Sequence, residues 1–216
     1  MSKSIIKYGQ SFEVTAEPSE ILIEQGLSRS IPEKLDKTSE YAIITDSNLI
    51  SSHAQVLYDK MVKIGLSVTS PIEIPAGEDS KSFIQAENIA NELSERGYGK
   101  NTTLIALGGG MIGDLVGFVA ANYYRGIPYI QVPTTLLAQV DSSIGGKTAV
   151  NLEKGKNLFG RFYLPRTTYI DPELLLTLPQ RDLQSGFGEI IKYSVLDSSI
   201  SAKINPEITQ DISLLT

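Results

Sequence analysis

The chain has 216 residues, of which 41% are hydrophobic and 20% charged, and its formal net charge is −6. This length and composition predict a globular protein with one substantial core, or a compact domain followed by part of a second. The negative charge argues against general binding to nucleic acid or to an acidic membrane surface, although it leaves local basic pockets open. Because the sequence contains no cysteine, disulfides and thiolate metal sites are excluded, and His53 is the one histidine available to a metal.

The N-terminus gives no targeting signal. The segment MSKSIIKYGQ lacks an apolar stretch of signal-peptide length. Nowhere does an uncharged apolar run approach the roughly 20 residues that a membrane span requires. These features predict a cytoplasmic protein without a membrane partner.

Apolar runs rich in branched residues alternate with amphipathic segments along the first half of the chain. YAIIT at 41–45 is typical of a buried strand, and 50–65 predicts a helix that ends at a C-terminal glycine. A second helix is predicted over 83–96, and TTLIAL at 102–107 predicts a second strand. This order predicts an α/β fold with a Rossmann-like parallel sheet.

The second half of the chain continues this alternation and then changes. An apolar helix is predicted to follow GGGMIGD and to run to about Tyr124, and IPYIQVP at 127–133 predicts a third strand. From about Pro172 the composition predicts helices with a proline break. We therefore expect an α/β domain over 1–171 and the start of an α-helical domain over 172–216. The early end of that second segment leads us to expect a piece of a longer protein.

The glycines of GGGMIGD stand at the predicted carboxyl end of a strand, where ligands of open α/β sheets bind. Glycines let a phosphate approach the backbone closely and permit positive φ. Asp114 is expected in the first helical turn, where the helix dipole favours it and it can bond to a ribose or a neighbouring loop. A tight strand-to-helix turn explains the same glycines, and their spacing differs from the usual dinucleotide fingerprint.

Polar and basic residues follow the third predicted strand at short intervals. They are Thr134, Thr135, Asp141, Ser142, Lys147, Lys154, Lys156 and Asn157. A single lysine in a glycine-rich loop is usually solvated, but a lysine also suits phosphate oxygens as a point charge. Three lysines close together, beside Asn157 and two glycine clusters, favour an anion pocket for a cofactor pyrophosphate or a substrate phosphate.

Six segments together resemble the 3-dehydroquinate synthase family: PAGEDSKS, GGGMIGDLVGF, YYRGIPYIQVPTTLLAQVDSSIGGKTAVN, GKNLFGRFYLP, LTLPQRD and GFGEIIKYS. The resemblance runs over about 43–196 and is most specific over 107–156. It implies an NAD-binding domain, a helical domain, and a cleft that holds a divalent metal, zinc or cobalt. It also implies a homodimeric lyase of the shikimate pathway. That lyase converts the sugar phosphate 3-deoxy-D-arabino-heptulosonate 7-phosphate into 3-dehydroquinate and phosphate, using NAD to oxidise and re-reduce the substrate.

The resemblance also assigns individual residues. Those on family positions that contact NAD are Asp46, Asn48, Glu78, Lys81, Gly109, Gly110, Asp114, Thr134, Thr135, Lys147, Lys156, Thr177 and Leu178. Those on positions that line the substrate and its phosphate are Arg125, Asp141, Lys147, Asn157 and Lys192. Glu189 falls on the position of the family's carboxylate metal ligand.

Glu189 has an ordinary explanation as well, a solvent-facing helical glutamate paired with Lys192 or Tyr193. Its apolar surroundings and the i, i+3 spacing to Lys192 favour a place in a cleft. The family completes its metal site with two histidines of the C-terminal domain, which this sequence lacks. His53 lies next to apolar helix positions and is expected to be structural. We therefore expect the 216-residue chain alone to bind NAD weakly and to be inactive.

Three alternatives remain open from the sequence. The first is another sugar-phosphate cyclase of the same superfamily, such as those that make aminocyclitol rings. The second, more remote, is a metal-dependent glycerol or alcohol dehydrogenase with the same fold. The third is an NAD-binding or dimerising module without catalytic activity.

Overall fold

The computed structural model describes residues 19–201, and a parallel β-sheet forms the centre of that part of the chain. The strands are β1 (Glu20–Ile23), β2 (Glu40–Asp46), β3 (Ser67–Val68), β4 (Ile72–Ile74), β5 (Thr102–Gly108), β6 (Tyr129–Pro133), β7 (Lys147–Leu152), β8 (Gly155–Phe162) and β9 (Thr167–Ile170). Seven of them form the sheet in the order β1-β9-β6-β5-β2-β3, with β4 also paired to β2, and every pairing is parallel. The predicted α/β class with a parallel sheet is confirmed.

Helices cover both faces of the sheet. They are α1 (Ile31–Lys34), α2 (Gln55–Lys63), α3 (Phe83–Glu95), α4 (Gly110–Asn122), α5 (Gln180–Leu196) and α6 (Ser198–Ser201). The helix predicted over 50–65 begins with a π-helical turn at Ile50–Ala54 and ends before Gly65, whose φ is 78°. None of the helices in the described part of the chain is long and apolar enough to cross a membrane.

The core lies on the two faces of β2 and β5, whose side chains alternate between them. Ile44 and Leu104 pack on the face covered by α3 and α4, and Ile43 and Ile105 pack on the face covered by α2. All of β5 is buried, from Thr102 to Gly108. A central parallel strand covered on both faces has this continuous apolar character, which explains why it could be predicted.

The segment after β6 differs from the prediction. The lysine-containing stretch that we expected to be a loop around an anion forms an antiparallel hairpin of β7 and β8. This hairpin packs on α4 so closely that a Cβ at Gly117 would lie 2.5 Å from Thr148 Cγ2. Strands β1 and β9 were not predicted either; they are four residues long each and pair with each other at the edge of the sheet.

Helix α5 packs against the turn that follows β6. Leu183 and Phe187 form a separate small apolar cluster with Leu136 and Leu175. Gly186 lies at the closest contact, because a Cβ at that position would be 2.6 Å from Leu136 Cβ. This contact brings α5 to the edge of the sheet where β5 and β6 end. The domain boundary at 171/172 stays a prediction.

Two glycines of α5 allow a matched test of this contact. We expect G186A to destabilise the protein by about 1–3 kcal/mol, because the added methyl group collides with Leu136 and with the Leu137 backbone. We expect G188A to stabilise it by about 0.5–1 kcal/mol, because a Cβ there meets no described atom within 4 Å outside the adjacent backbone of its own helix and alanine favours the helix. Urea unfolding measures both, and equal effects of the two variants would contradict the packing.

Candidate active site

Two clefts open at the carboxyl ends of β2, β5 and β6. The first has a volume of about 470 Å³ and its lining includes Asp46, Asn48, Thr134, Thr135, Thr177 and Leu178. The second has a volume of about 500 Å³ and its lining includes Asp114, Asp141, Ser142, Lys147, Asn157 and Arg161. The structure thus brings six of the residues predicted to contact NAD to one cleft. It brings three of the five predicted substrate residues, Asp141, Lys147 and Asn157, to the other.

The start of α4 lies between the two clefts. A Cβ at Gly109 would be 3.0 Å from Thr135 Cγ2 in the first cleft, and a Cβ at Gly110 would be 2.7 Å from Ser142 Oγ in the second. Glycine is therefore required here for close approach of the chain to itself. The expected use of positive φ is wrong, because Gly109 has a φ of −73° and no residue of 108–110 is among the positive-φ glycines.

The N-terminus of α4 offers unpaired backbone donors to both clefts. The first N–H groups of an α-helix have no partner within the helix, and they carry a partial positive charge. Among the described residues, no side chain caps this end. Ser142 Oγ, next to Gly110, is buried and has no hydrogen-bond partner in the described part of the chain. These groups suit an anion that reaches the junction of the clefts.

A buried lysine joins three segments beside the second cleft. Lys81 follows the 3₁₀ turn Glu78–Ser80, and its side chain is 5% exposed. Its Nζ forms an ion pair with Asp114 of α4 and donates a hydrogen bond of 2.5 Å to Asn157 Oδ1 of β8. We had expected Asp114 in the first turn of α4, but it lies beyond that turn. At this position it contacts Lys81.

Burial perturbs two of the carboxylates. Desolvation raises the pKa of Asp114, while the charge of Lys81 and its hydrogen bond act in the opposite direction. Desolvation also raises the pKa of Asp46, against the backbone N–H groups of Asn48 and Leu49. The Asn48 N–H donates to Asp46 Oδ1 at 2.9 Å. Each carboxylate thus faces a cleft and keeps acceptor capacity for a ligand hydroxyl or N–H.

Helix α5 reaches the second cleft through one hydrogen bond. The Tyr193 hydroxyl donates to Asp141 Oδ1 at 2.7 Å, which raises the pKa of Tyr193 to about 12. Lys192 Nζ lies 5.2 Å from the centre of the Tyr193 ring. This arrangement orients Asp141 and leaves its second oxygen for another partner.

Glu189 and Lys192 form an ion pair along α5, in which the Glu189 side chain is 17% exposed and that of Lys192 is 58% exposed. The hydrogen bond that the Lys192 ammonium group donates to Glu189 raises the pKa of Lys192. Within residues 19–201, no three acidic, histidine or cysteine side chains converge in a geometry that could hold a metal ion. A tightly bound zinc ion takes about four ligands, so the described residues supply fewer than three of them and do not by themselves fit a metal.

Several predicted site residues lie outside the two clefts. Arg125 is exposed beyond the C-terminal end of α4, and the structure does not bring it to the other predicted substrate residues. Lys156 is exposed and lies 3.8 Å from Glu78. Lys154, expected to contribute to the anion pocket, is exposed in the turn of the hairpin. Lys147 is thus the one of the three clustered lysines that lines the second cleft.

Sequence reasoning missed two residues that line the clefts. His53 lines the first cleft, and its Nε2 lies 3.1 Å from Thr177 Oγ1, a polar contact that was not predicted. Arg161 lines the second cleft and donates to the Ala121 carbonyl at the end of α4. A histidine and an arginine at otherwise apolar positions were the available signals, but the hairpin that carries Arg161 was not predicted.

Comparison with known proteins gives a consistent result. The model of the family described as "3-dehydroquinate synthase N-terminal" matches residues 71–185. The 3-dehydroquinate synthase of Latilactobacillus sakei is 44% identical over 189 residues, which is 86% of this chain and 53% of that protein. The chain spans about half the length of the curated relatives it matches.

Two solved structures of cyclising enzymes share the fold. A 2-deoxy-scyllo-inosose synthase complexed with carbaglucose-6-phosphate, NAD+ and Co2+ is 30% identical, with a TM-score of 0.71 over 80% of this chain and 47% of that one. The 2-epi-5-epi-valiolone synthase of Streptomyces hygroscopicus, with NAD+ and Zn2+ bound, is 27% identical, with a TM-score of 0.76 over 85% of this chain and 51% of that one.

The buried ion pair gives a pH-dependent prediction. We expect K81M to destabilise the protein by about 3–5 kcal/mol at pH 8, because it leaves the Asp114 carboxylate buried without a counter-charge. The substitution removes both effects that lower the pKa of Asp114, so that pKa rises further. When the pKa of a carboxyl group is raised by folding, the folded protein loses stability as the pH rises through that value. The loss of unfolding free energy in K81M should therefore be smaller at pH 5 than at pH 8.

Urea unfolding of the unsubstituted protein, K81M and K81M/D114N at both pH values measures this effect. The double variant should recover much of the loss at pH 8, because it removes both charges together. A deficit of K81M that is equal at pH 5 and pH 8 would contradict the assignment to the Asp114 carboxylate.

Proposed function

Because the chain belongs to the 3-dehydroquinate synthase family, we propose that it carries the cofactor and phosphate sites of an enzyme that makes 3-dehydroquinate and phosphate from 3-deoxy-D-arabino-heptulosonate 7-phosphate. The observation that carries the proposal is the position of the α4 N-terminus between two clefts, through its contacts with Thr135 and with Ser142. A dinucleotide and a phosphate ester both need such a junction of backbone donors.

NAD+ fits the first cleft and the start of α4. In this proposal the carboxylate of Asp46 accepts hydrogen bonds from ribose hydroxyls, and Thr134, Thr135 and Thr177 provide further polar contacts. The pyrophosphate lies against the backbone N–H groups at Gly110, where no side chain forms a capping hydrogen bond. The nicotinamide end then extends toward Lys81 and Asp114, which border the second cleft. Both cyclising enzymes of similar fold have NAD+ in their structures.

The substrate phosphate fits the second cleft. Lys147 supplies a positive charge there, and Asn157 lines the same space. Asp141, oriented by the Tyr193 hydroxyl, offers its free oxygen to a sugar hydroxyl, which it can hold or relieve of a proton. Bound NAD+ supplies reversible hydride transfer at a substrate carbon. The protein positions that carbon, because both clefts adjoin the start of α4 through Thr135 and Ser142.

The remaining assignments rest on family membership. Glu189 is proposed as one metal ligand, with the other ligands outside the described residues, and no step of the account depends on the metal. Arg125 and Lys192 are proposed to contact the substrate, and Lys156 is proposed to contact the cofactor. A homodimer and a boundary between the two domains at 171/172 are proposed on the same basis. The 44% identity to a synthase, against 30% and 27% to two other cyclising enzymes, favours 3-dehydroquinate as the product.

The cofactor site is tested by titrating NAD+ into the chain in a calorimeter. We expect NAD+ to bind and D46N to weaken binding about tenfold, because the neutral amide forms weaker hydrogen bonds with ribose hydroxyls than a carboxylate does. D59N is the matched control, since Asp59 is exposed on α2 and outside the first cleft. Equal affinity of D46N and the unsubstituted chain would contradict the placement of NAD+ in this cleft.

A further inference from the structure

Asn151 lies at an irregular point of the hairpin. It belongs to β7, where the register of pairing with β8 shifts between Val150 and Leu152, and its side chain is partly buried. Its backbone pairs with a different segment, because its N–H donates to the Lys81 carbonyl at 2.8 Å and a parallel bridge joins it to Ser82. The chain around Lys81 is thus attached to the hairpin at this residue.

The side chain of Asn151 uses both ends of its amide. Its Nδ2 donates to Glu78 Oε1 at 2.8 Å, and its Oδ1 accepts from the Asn157 backbone N–H at 2.9 Å. Glu78 belongs to the turn that precedes Lys81, and Asn157 lines the second cleft. A single side chain therefore connects a predicted NAD residue with a predicted phosphate residue.

Asn157 needs such support. Its φ is 57°, in the left-handed region that costs a non-glycine residue on the order of 1–2 kcal/mol. Its side-chain oxygen also accepts from Lys81 Nζ. Contacts at Asn151 and at Lys81 thus hold the backbone and the side chain of Asn157 separately, and both contacts lead back to the segment 78–82.

We infer that Asn151 is a positioning residue that couples NAD+ binding at Glu78 and Lys81 to phosphate binding at Asn157. The inference rests on the proposed function. When NAD+ binds and fixes Glu78 and Lys81, the Asn151 amide in turn fixes the Asn157 backbone through its two hydrogen bonds. When phosphate binds and fixes Asn157, the same bonds fix Glu78. Because such coupling is reciprocal, each ligand must change the affinity of the other by the same factor.

The coupling is measured by calorimetry with NAD+ and inorganic phosphate as probes. NAD+ is titrated into the unsubstituted chain without phosphate and with saturating phosphate, and the ratio of the two dissociation constants is the coupling factor. We expect phosphate to tighten NAD+ binding at least about fivefold, within the usual range of coupling between sites. In N151A we expect this factor to fall to about one.

Exchanging the hydrogen-bond donor at Asn151 with the acceptor at Glu78 distinguishes a positioning role of Asn151 from a general loss of structure in its variants. N151D keeps the acceptor for the Asn157 N–H but sets a carboxylate against Glu78, so the coupling should be lost. E78Q weakens NAD+ binding itself, because Glu78 is a predicted NAD contact, but it keeps an acceptor for the Asn151 amide. The ratio of its two dissociation constants, which is the coupling factor, should therefore remain. In N151D/E78Q the amide at position 78 donates to the carboxylate at position 151, so the hydrogen bond is restored with its direction reversed and the coupling should return. N91A, at an exposed position of α3, is the matched control for N151A.

The outcomes distinguish this inference from the proposed function. NAD+ and phosphate that bind without coupling in the unsubstituted chain, or coupling that persists in N151D, would overturn the role of Asn151 and leave the proposed function standing. Failure of NAD+ to bind the unsubstituted chain would overturn the proposed function itself. Melting temperatures identify a variant that does not fold; if N151A is such a variant, the comparison of N151D with N151D/E78Q decides.

Discussion

The buried ammonium group of Lys81 sets the geometry of the second cleft. A buried charge is tolerated only with an opposite charge and hydrogen bonds beside it, and Asp114 and Asn157 provide both. These three residues come from a turn, from α4 and from the hairpin, so the requirement of one charge fixes three separate segments relative to one another. Asp114 and Asn157 both line the second cleft, so part of its wall depends on this arrangement.

The start of α4 applies a second constraint of a different kind. Gly109 and Gly110 lie so close to Thr135 and Ser142 that no Cβ fits without displacement of these neighbours. Close packing therefore leaves the helix N-terminus bare, and the bare N-terminus supplies the backbone donors that join the clefts. Glycine at positions 109 and 110 is thus needed both for the close packing of the fold and for the proposed ligand site.

Predictions from the sequence succeeded where a local signal determines the structure. The buried strands β2 and β5 are continuous apolar runs, and glycine follows α2 and α3. The hairpin was missed because β8 is almost entirely exposed and so carries no alternation of apolar and polar residues. Contacts such as those of Asn151 with Glu78 and of Tyr193 with Asp141 join residues far apart in sequence, so spacing could not predict them. The family resemblance named many of the polar residues of the clefts, though not His53 or Arg161, and it gave no contacts between them.

The central claim is that both clefts form one site around the start of α4. A crystal structure of the chain with NAD+ and inorganic phosphate tests it most directly. The account predicts that NAD+ runs from Asp46 past Gly110 toward Lys81 and that phosphate lies between Lys147 and Asn157. NAD+ bound away from the start of α4, for example in the adjoining pocket of about 290 Å³ near Arg29 and Lys60, would contradict it.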